Sequence, residues 1–306
     1  MIVADQVEAR ARALGFLAAG VATLDPNDHA DMLDRWLASG RAGTMRYLHR
    51  QAAKRKAPAR IVPGAIRAVM VLDNYYQPEP PEPGIRIAKY ARGRDYHREL
   101  LDRLRLLGDW LLEHGATIAR PFADDGPVPE RELAARAGLG WIGKNTMLIR
   151  PGVGSFFFIG ALLTDLALEP TPPFPSDHCG TCTRCIEACP TEAILEDRVL
   201  DATRCISFLT IESKQEPPPE LAARFRGWAF GCDICNDVCP WNERFATPSL
   251  VDAYRDRAAI PRLDPGFFGR MTEPEFADRF GDTPLERPGL AGMRRNVTHA
   301  FASLES

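Results

Sequence analysis

The sequence predicts an α/β (α+β) domain over residues 1–165, a cysteine-dense module over residues 166–245 and a short helical segment over residues 246–306. Three observations carry this division. Apolar, strand-like runs alternate with amphipathic helical patterns upstream of Asp165. The proline-rich stretch LEPTPPFPSDH (Leu168–His178) interrupts that pattern. All eight cysteines of the 306-residue chain then fall between Cys179 and Cys239.

In chain order, residues 5–19 read as an amphipathic helix, with Val7, Ala11, Leu14 and Ala18 near a 3.6-residue period and Gly20 as its stop. A second helix is expected from Asp28 to Ser39, and a third over Arg41–Lys56, ended by Pro58. Ala68–Tyr76 is a continuous apolar run with polar and aromatic residues at its end, as in a buried strand that delivers side chains to a site. Gln77–Gly84 is a stiff, proline-rich excursion. A long helix follows, capped by Asp95, striped by Leu100, Leu104, Leu107 and Leu111, and closed by Gly115. Thr117–Phe122 and Ser155–Asp165 read as strands, with the helical ERELAARA between them. Near the C-terminus, Thr272-Glu273-Pro274-Glu275 forms a capping box ahead of Phe276 and Phe280.

The cysteines have a specific spacing. Cys179, Cys182, Cys185 and Cys189 follow C-x2-C-x2-C-x3-C-P; Cys232, Cys235 and Cys239 repeat its second half, with Cys205 between. A cuboidal iron–sulfur cluster takes one thiolate per iron, and in two-cluster ferredoxins the cysteine before the proline reaches to the other cube. The spacing therefore assigns Cys179, Cys182, Cys185 and Cys239 to one [4Fe–4S] cluster, and Cys189, Cys205, Cys232 and Cys235 to a second. Zinc prefers two separated C-x2-C pairs, and disulfides need an oxidising compartment, for which no signal peptide is visible.

The net charge of −3 excludes a nucleic-acid binder driven by overall charge. Locally the balance differs. Arg41, Arg46, Arg50, Lys54, Arg55, Lys56 and Arg60 fall in one stretch without an acid, with Tyr47 and His49 interleaved. Such a run is a solvated helix face or a phosphate contact. No run approaches the roughly 18 apolar residues of a membrane span, so a cytoplasmic protein is expected.

Gly138, Gly140 and Gly143 spell G-x-G-x-x-G, but a helix precedes them where a dinucleotide site needs a strand. They read better as a helix exit that lets backbone approach a large flat ligand. His97 sits in the first turn of a helix and reads as a capping residue or as pocket lining rather than as a metal ligand. Asp124, at a strand end and facing a pocket of Trp141 and tyrosines, is either a general acid whose proton is held by burial or a helix cap; pattern alone leaves this open.

Five motifs in order, YARGRDYH (Tyr90–His97), DDGPVPERELAARAGLGWIGKNTMLI (Asp124–Ile149), CGTCTRCIEACPTEAI (Cys179–Ile194), LDATRCISFLTIE (Leu200–Glu212) and GCDICNDVCPWN (Gly231–Asn242), resemble the epoxyqueuosine reductase family. The resemblance implies a cobalamin-binding N-terminal domain and a ferredoxin-like module. It also implies reduction of epoxyqueuosine at the tRNA anticodon wobble position to queuosine, using base-off cob(I)alamin supplied with electrons by the two clusters. It matches Asp124 to the family's proton donor and makes Arg55 the candidate for the cobalamin phosphate. Tyr90, Tyr96, His97, Arg131, Trp141, Lys144, Asn145 and Ser155 fall in motifs that line the pocket. The partners implied are tRNA carrying epoxyqueuosine and an external low-potential electron donor, with the enzyme monomeric. Pro129 stands where the family usually has leucine, and a C-terminal extension of helical, HEAT-like repeats is absent, which shifts the expected RNA contacts to Arg41–Arg60, Arg294 and Arg295. The other readings are a reductive dehalogenase-like corrinoid enzyme and a ferredoxin-type electron carrier.

Overall fold

The computed structural model describes residues 3–79, 84–257 and 264–304, so part of the Gln77–Gly84 excursion lies outside the described residues. The chain opens with α1 (Ala4–Ala13), which buries Val7 and Ala11. The helix expected over residues 5–19 ends early, because Gly15 turns the chain at φ +88°. The small residues after it form β1 (Ala18–Thr23). This strand pairs along its whole length with β2 (Arg67–Asn74), from Ala18 opposite Leu72 to Thr23 opposite Arg67. An Ala-Ala-Gly-Val-Ala run has no strand signature of its own, and cross-strand pairing overrides its propensity.

Between these strands lie α2 (Ala30–Ala38) and α3 (Arg46–Lys56). The latter starts five residues later than expected, after a turn in which Gly43 takes φ +55° and lies against the Phe208 ring. Next come β3 (Arg86–Ile87) and α4 (Tyr96–Glu113). Asp95 caps α4 by accepting the His97 N–H, and its Leu100, Leu104, Leu107 and Leu111 stripe is fully buried. The domain is completed by β4 (Ala119–Phe122), α5 (Glu130–Arg136), the hairpin of β5 (Trp141–Ile142) and β6 (Leu148–Ile149), and β7 (Phe157–Thr164).

The main sheet has the order β1-β2-β7-β4 with every pair antiparallel, which is the α+β form of the expected class. Both faces are covered. Val69, Val71 and Leu162 pack with α1 and α4, whereas Ala68, Met70, Leu72 and Leu163 pack with α5. Alternate residues of β2 thus enter opposite cores, which explains its unbroken apolar sequence.

The cysteine module comprises α6 (Arg184–Glu187), β8 (Ile194–Glu196), β9 (Val199–Leu200), α7 (Ile206–Ile211), α8 (Pro219–Ala222), β10 (Trp228–Phe230), α9 (Ile234–Asp237) and α10 (Pro240–Phe245). Cys185 on α6 and Cys235 on α9 hold equivalent places, so the repeated half-motif is also a repeated turn and helix. The C-terminal helices are α11 (Pro265–Arg270), α12 (Glu273–Phe280) and α13 (Gly289–Ala302). The expected capping box at Thr272 and Glu275 is formed.

The three segments share cores. β3 pairs in parallel with β10. Ile85, Ile87 and Ala91 pack with Phe230 and with Phe268, Phe276, Phe280 and Met293 of the C-terminal helices. Tyr254 joins the core of α4 and the sheet.

Candidate functional site

Asp124 stands just past the end of β4, whose pairing stops at Phe122 opposite Ala161. It adopts a left-handed backbone, φ +59°, which aspartate tolerates better than most residues. Its carboxyl is exposed to solvent, and Tyr96 Oη donates to Oδ2 at 2.8 Å. Burial, followed by the neighbouring Asp124 charge, pushes the Tyr96 phenol well up, so it stays a donor. The ring is fixed by stacking on Phe158 at 4.1 Å and on His97 at 4.1 Å. Tyr90 meets Tyr96 edge-on at 6.0 Å and also touches Tyr75, Phe158 and Phe230.

His97, in the first turn of α4, is tied to the capping residue: its Nδ1 lies 2.7 Å from Asp95 Oδ1. Burial works against its charged form, but Asp95 outweighs it and raises the imidazole pKa. Arg55 donates to the carbonyls of Gly126 at 3.1 Å and Val128 at 3.3 Å, and its buried Nε has no hydrogen-bond partner. Arg131 donates to the Thr146 carbonyl at 3.1 Å. Glu130, the first residue of α5, accepts the Asp124 N–H at 2.7 Å. Burial, then the Asp124 charge, pushes its carboxyl up to about 8.

Three further groups belong to the electrostatics of this site. Burial raises the Tyr47 phenol, and the charges acting on it are Glu212, Arg287, Asp124 and Arg55. Arg287 holds Glu212 with two bonds, 3.1 and 3.0 Å. Tyr47 stands in the basic run and Glu212 closes one of the five motifs. For Arg287 the sequence carries no signal, because it comes from the far end of the chain.

The other expected pocket residues lie elsewhere. Trp141 is not beside Asp124: its Nε1 donates to Cys179 Sγ at 3.4 Å and its ring packs on Phe174, His178 and Trp241. The hairpin β5–β6 tucks under the module and carries the tryptophan with it. Lys144 pairs with Asp197 at 3.3 Å, and Asn145 donates to the Cys235 carbonyl at 3.3 Å. The Ser155 N–H donates to Asn242 at 2.6 Å, and its hydroxyl donates to Asn236 at 3.2 Å. These four side chains therefore brace the cysteine module. The glycines also serve the chain itself, since a Cβ at Gly140 would meet the Ile149 carbonyl at 2.1 Å and one at Gly138 the Pro172 carbonyl at 2.4 Å. At these two positions the close approach is made by the chain's own backbone.

Cys179, Cys182, Cys185 and Cys239 line one cavity of about 130 Å³, with Trp241, His178 and Lys144 around them. The thiols surround a space rather than converge on a point: among the described residues no three His, Cys, Asp or Glu are close enough to hold a single metal ion. In the second set, burial raises the Cys235 thiol, and Cys205 and Cys189 are its charged neighbours. Cys205, Cys232 and Tyr90 pack against one buried cluster that includes Ala88, Ile206 and Trp228, and Cys235 acts on Tyr75. The second set therefore adjoins the tyrosine wall of the Asp124 site, while the first lies beyond it. Soft thiolates in two sets of four suit iron–sulfur clusters.

The 4Fe–4S double cluster binding domain matches residues 178–242, and the epoxyqueuosine reductase QueG family model matches residues 55–125. Epoxyqueuosine reductase of Cellulophaga algicola is 39% identical over 296 residues, 96% of each chain. The chain belongs to the epoxyqueuosine reductase family. As a family member it carries a domain for two [4Fe–4S] clusters. Solved epoxyqueuosine reductases have the same fold. One, from Bacillus subtilis, described with its catalytic aspartate loop swung out of the active site, superimposes with a TM-score of 0.88 at 28% identity, covering 98% of this chain and 81% of that one. Another, solved with an epoxyqueuosine-modified tRNA-Tyr stem loop, gives 0.85 at 28% identity with the same coverage.

Proposed function

We propose that this protein is a cytoplasmic, monomeric oxidoreductase that reduces epoxyqueuosine in the tRNA anticodon to queuosine. The supporting observation is the junction itself: an exposed aspartate, held by a tyrosine hydroxyl, lies beside a tyrosine wall that shares one buried cluster with cysteines of a two-cluster module and has Cys235 as an electrostatic neighbour. Opening an epoxide to an alkene takes two electrons and two protons and releases water. Asp124 is the proton donor to the oxygen that leaves the ring, and Tyr96, through Oδ2, fixes the direction of its carboxyl. The tyrosine wall keeps water from the reacting carbons.

The clusters, held by Cys179, Cys182, Cys185 and Cys239 and by Cys189, Cys205, Cys232 and Cys235, would carry electrons singly from an external low-potential donor. A cobalamin would supply a strongly reducing, nucleophilic metal centre. The feature that suits it is the buried, unpartnered Nε of Arg55 against the Asp124 loop, a donor for the amides or phosphate of such a ligand. His97 is engaged with Asp95 and would not be among the residues that hold the ligand's metal. The tRNA would approach over α3, whose Arg46, Arg50 and Lys54 are exposed. The Asp124 loop would share the two positions implied by the Bacillus subtilis structure. The units 1–165, 166–245 and 246–306 would divide the work into chemistry, electron supply and closure.

The test is turnover of an epoxyqueuosine-containing anticodon stem-loop by protein reconstituted with iron, sulfide and cobalamin and supplied with a chemical low-potential reductant such as dithionite with a viologen mediator. Asp124→Asn is expected to keep iron and corrinoid absorbance while losing turnover. Full activity in that variant ends the proton-donor assignment, and a wild-type protein that binds both cofactors without turnover ends the substrate assignment.

A further inference from the structure

We propose that Glu130 is a positioning residue that latches the Asp124 loop: its side-chain oxygen accepts the Asp124 N–H and so holds the aspartate in the conformation that faces the reacting atoms. The proposal rests on the assignment of Asp124 as proton donor. The loop has left the sheet, since β4 pairs only as far as Phe122, and its backbone groups need other partners. Ala123 N–H donates to Asp125 at 3.0 Å, inside the loop. The remaining bonds reach outward to rigid elements. Arg55 on α3 holds the carbonyls of Gly126 and Val128, and Glu130 on α5 holds the amide of Asp124 itself at 2.7 Å.

The conformation needs holding. Asp124 is at φ +59°, a region that side-chain-bearing residues leave when nothing restrains them. Two residues on, a Cβ at Gly126 would meet the Phe122 ring at 2.6 Å, so the turn is also sterically tight. The latch is anchored, because Leu133 and Ala134 of α5 are fully buried against the sheet. Glu130 is faced by Asp124, Arg55, Arg131 and Tyr96, so its environment is the loop and the site wall. Its bond is to backbone, not to the Asp124 carboxyl. It therefore acts on where the donor stands and not on the proton transfer.

The distinguishing measurement is amide hydrogen exchange over residues 123–127 of the cluster-loaded protein, set beside steady-state turnover of the stem-loop. Glu130→Ala is expected to exchange about ten-fold faster at Asp124 and to lose about ten-fold in kcat, from the loss of one hydrogen bond, with KM for the stem-loop and iron content unchanged. Glu130→Gln keeps an acceptor oxygen and is expected to match wild type in both. Glu130→Met, which keeps bulk without the acceptor, serves if the alanine variant fails to fold. Wild-type exchange in the alanine or methionine variant overturns the latch, and so does a glutamine variant as exchangeable as alanine. A wild-type protein without turnover would sink the proposed activity while leaving the exchange result to decide the latch.

Discussion

The Tyr96–Asp124 bond is where a single atom makes the largest difference. Tyr96→Phe leaves the stack on Phe158 in place and removes only the hydroxyl that orients Oδ2. A hydrogen bond to the neutral acid contributes about 0.5–1.5 kcal/mol net, so kcat should fall about two- to ten-fold with the melting temperature little changed. Glu130 adds a pH signature. Its carboxyl, raised by burial and by Asp124 to about 8, is protonated in the folded state where the unfolded chain has already ionised. Stability therefore falls as pH rises from the ordinary glutamate range to about 8 and is level above that. Arg55 and Arg131 oppose the shift without cancelling it. Glu130→Gln should flatten this part of a stability-versus-pH curve, gaining on wild type at alkaline pH in denaturant titrations. At this scale the sequence was informative where chemistry and position coincide. The strand end and turn that carry Asp124 were legible, whereas its role was left open between general acid and helix cap until the family resemblance was considered; the contacts of Trp141 were not legible, because a two-residue hairpin strand redirected it to Cys179, and Arg287 carries no local signal for a contact made through tertiary packing.

Among elements, α3 divides its cations by role, a division invisible in the run of letters. Arg46, Arg50 and Lys54 are exposed, whereas Lys56 pairs with Asp34 and Arg55 points into the Asp124 loop. Replacing Arg46, Arg50 and Lys54 by glutamine should reduce the salt dependence of stem-loop binding by about two counterions, at about 0.7 per phosphate contact on a single strand. Salt titration of the dissociation constant measures it, and an unchanged slope removes α3 from the interface. Arg294 and Arg295, expected as RNA contacts, bond instead to backbone: Arg294 to Phe268 and Met271, Arg295 to Leu209, Ser213 and Gln215. Arg295 thus fastens α13 to the module, and Arg294 fastens it to the end of α11. The leucine stripe of α4 and the double burial of β2 were legible because both have a period; β1 was not, because alanine and glycine write no period and only the partner strand defines them.

At the scale of the whole molecule, Lys89 joins the N-terminal part to the second cysteine motif. Only 2% of its side chain is exposed, and its ammonium lies 2.6 Å from Glu79, 2.7 Å from Asp237 and 3.8 Å from Asp233. Lys89→Met would leave the buried Asp233 without its cation, at a cost of about 3–5 kcal/mol, and should lower both the melting temperature and the retained iron. Unchanged values for both would show that the cluster is dispensable. The cysteine spacing announced this module, but not that residues 85–91 belong to its core as much as to their own.

That sharing also orders events during synthesis. Strand β3 has its hydrogen-bonding partner in β10, which emerges from the ribosome only after most of the chain. Until then the neighbourhood of Tyr90 stays open at one edge, and five of the eight cysteines, Cys179 to Cys205, have emerged by the time β10 is complete. Parallel pairing between segments so far apart is slow to form. Neither set of four thiols is complete until Cys235 and Cys239 have followed β10, so cluster loading is expected only after this late strand has formed.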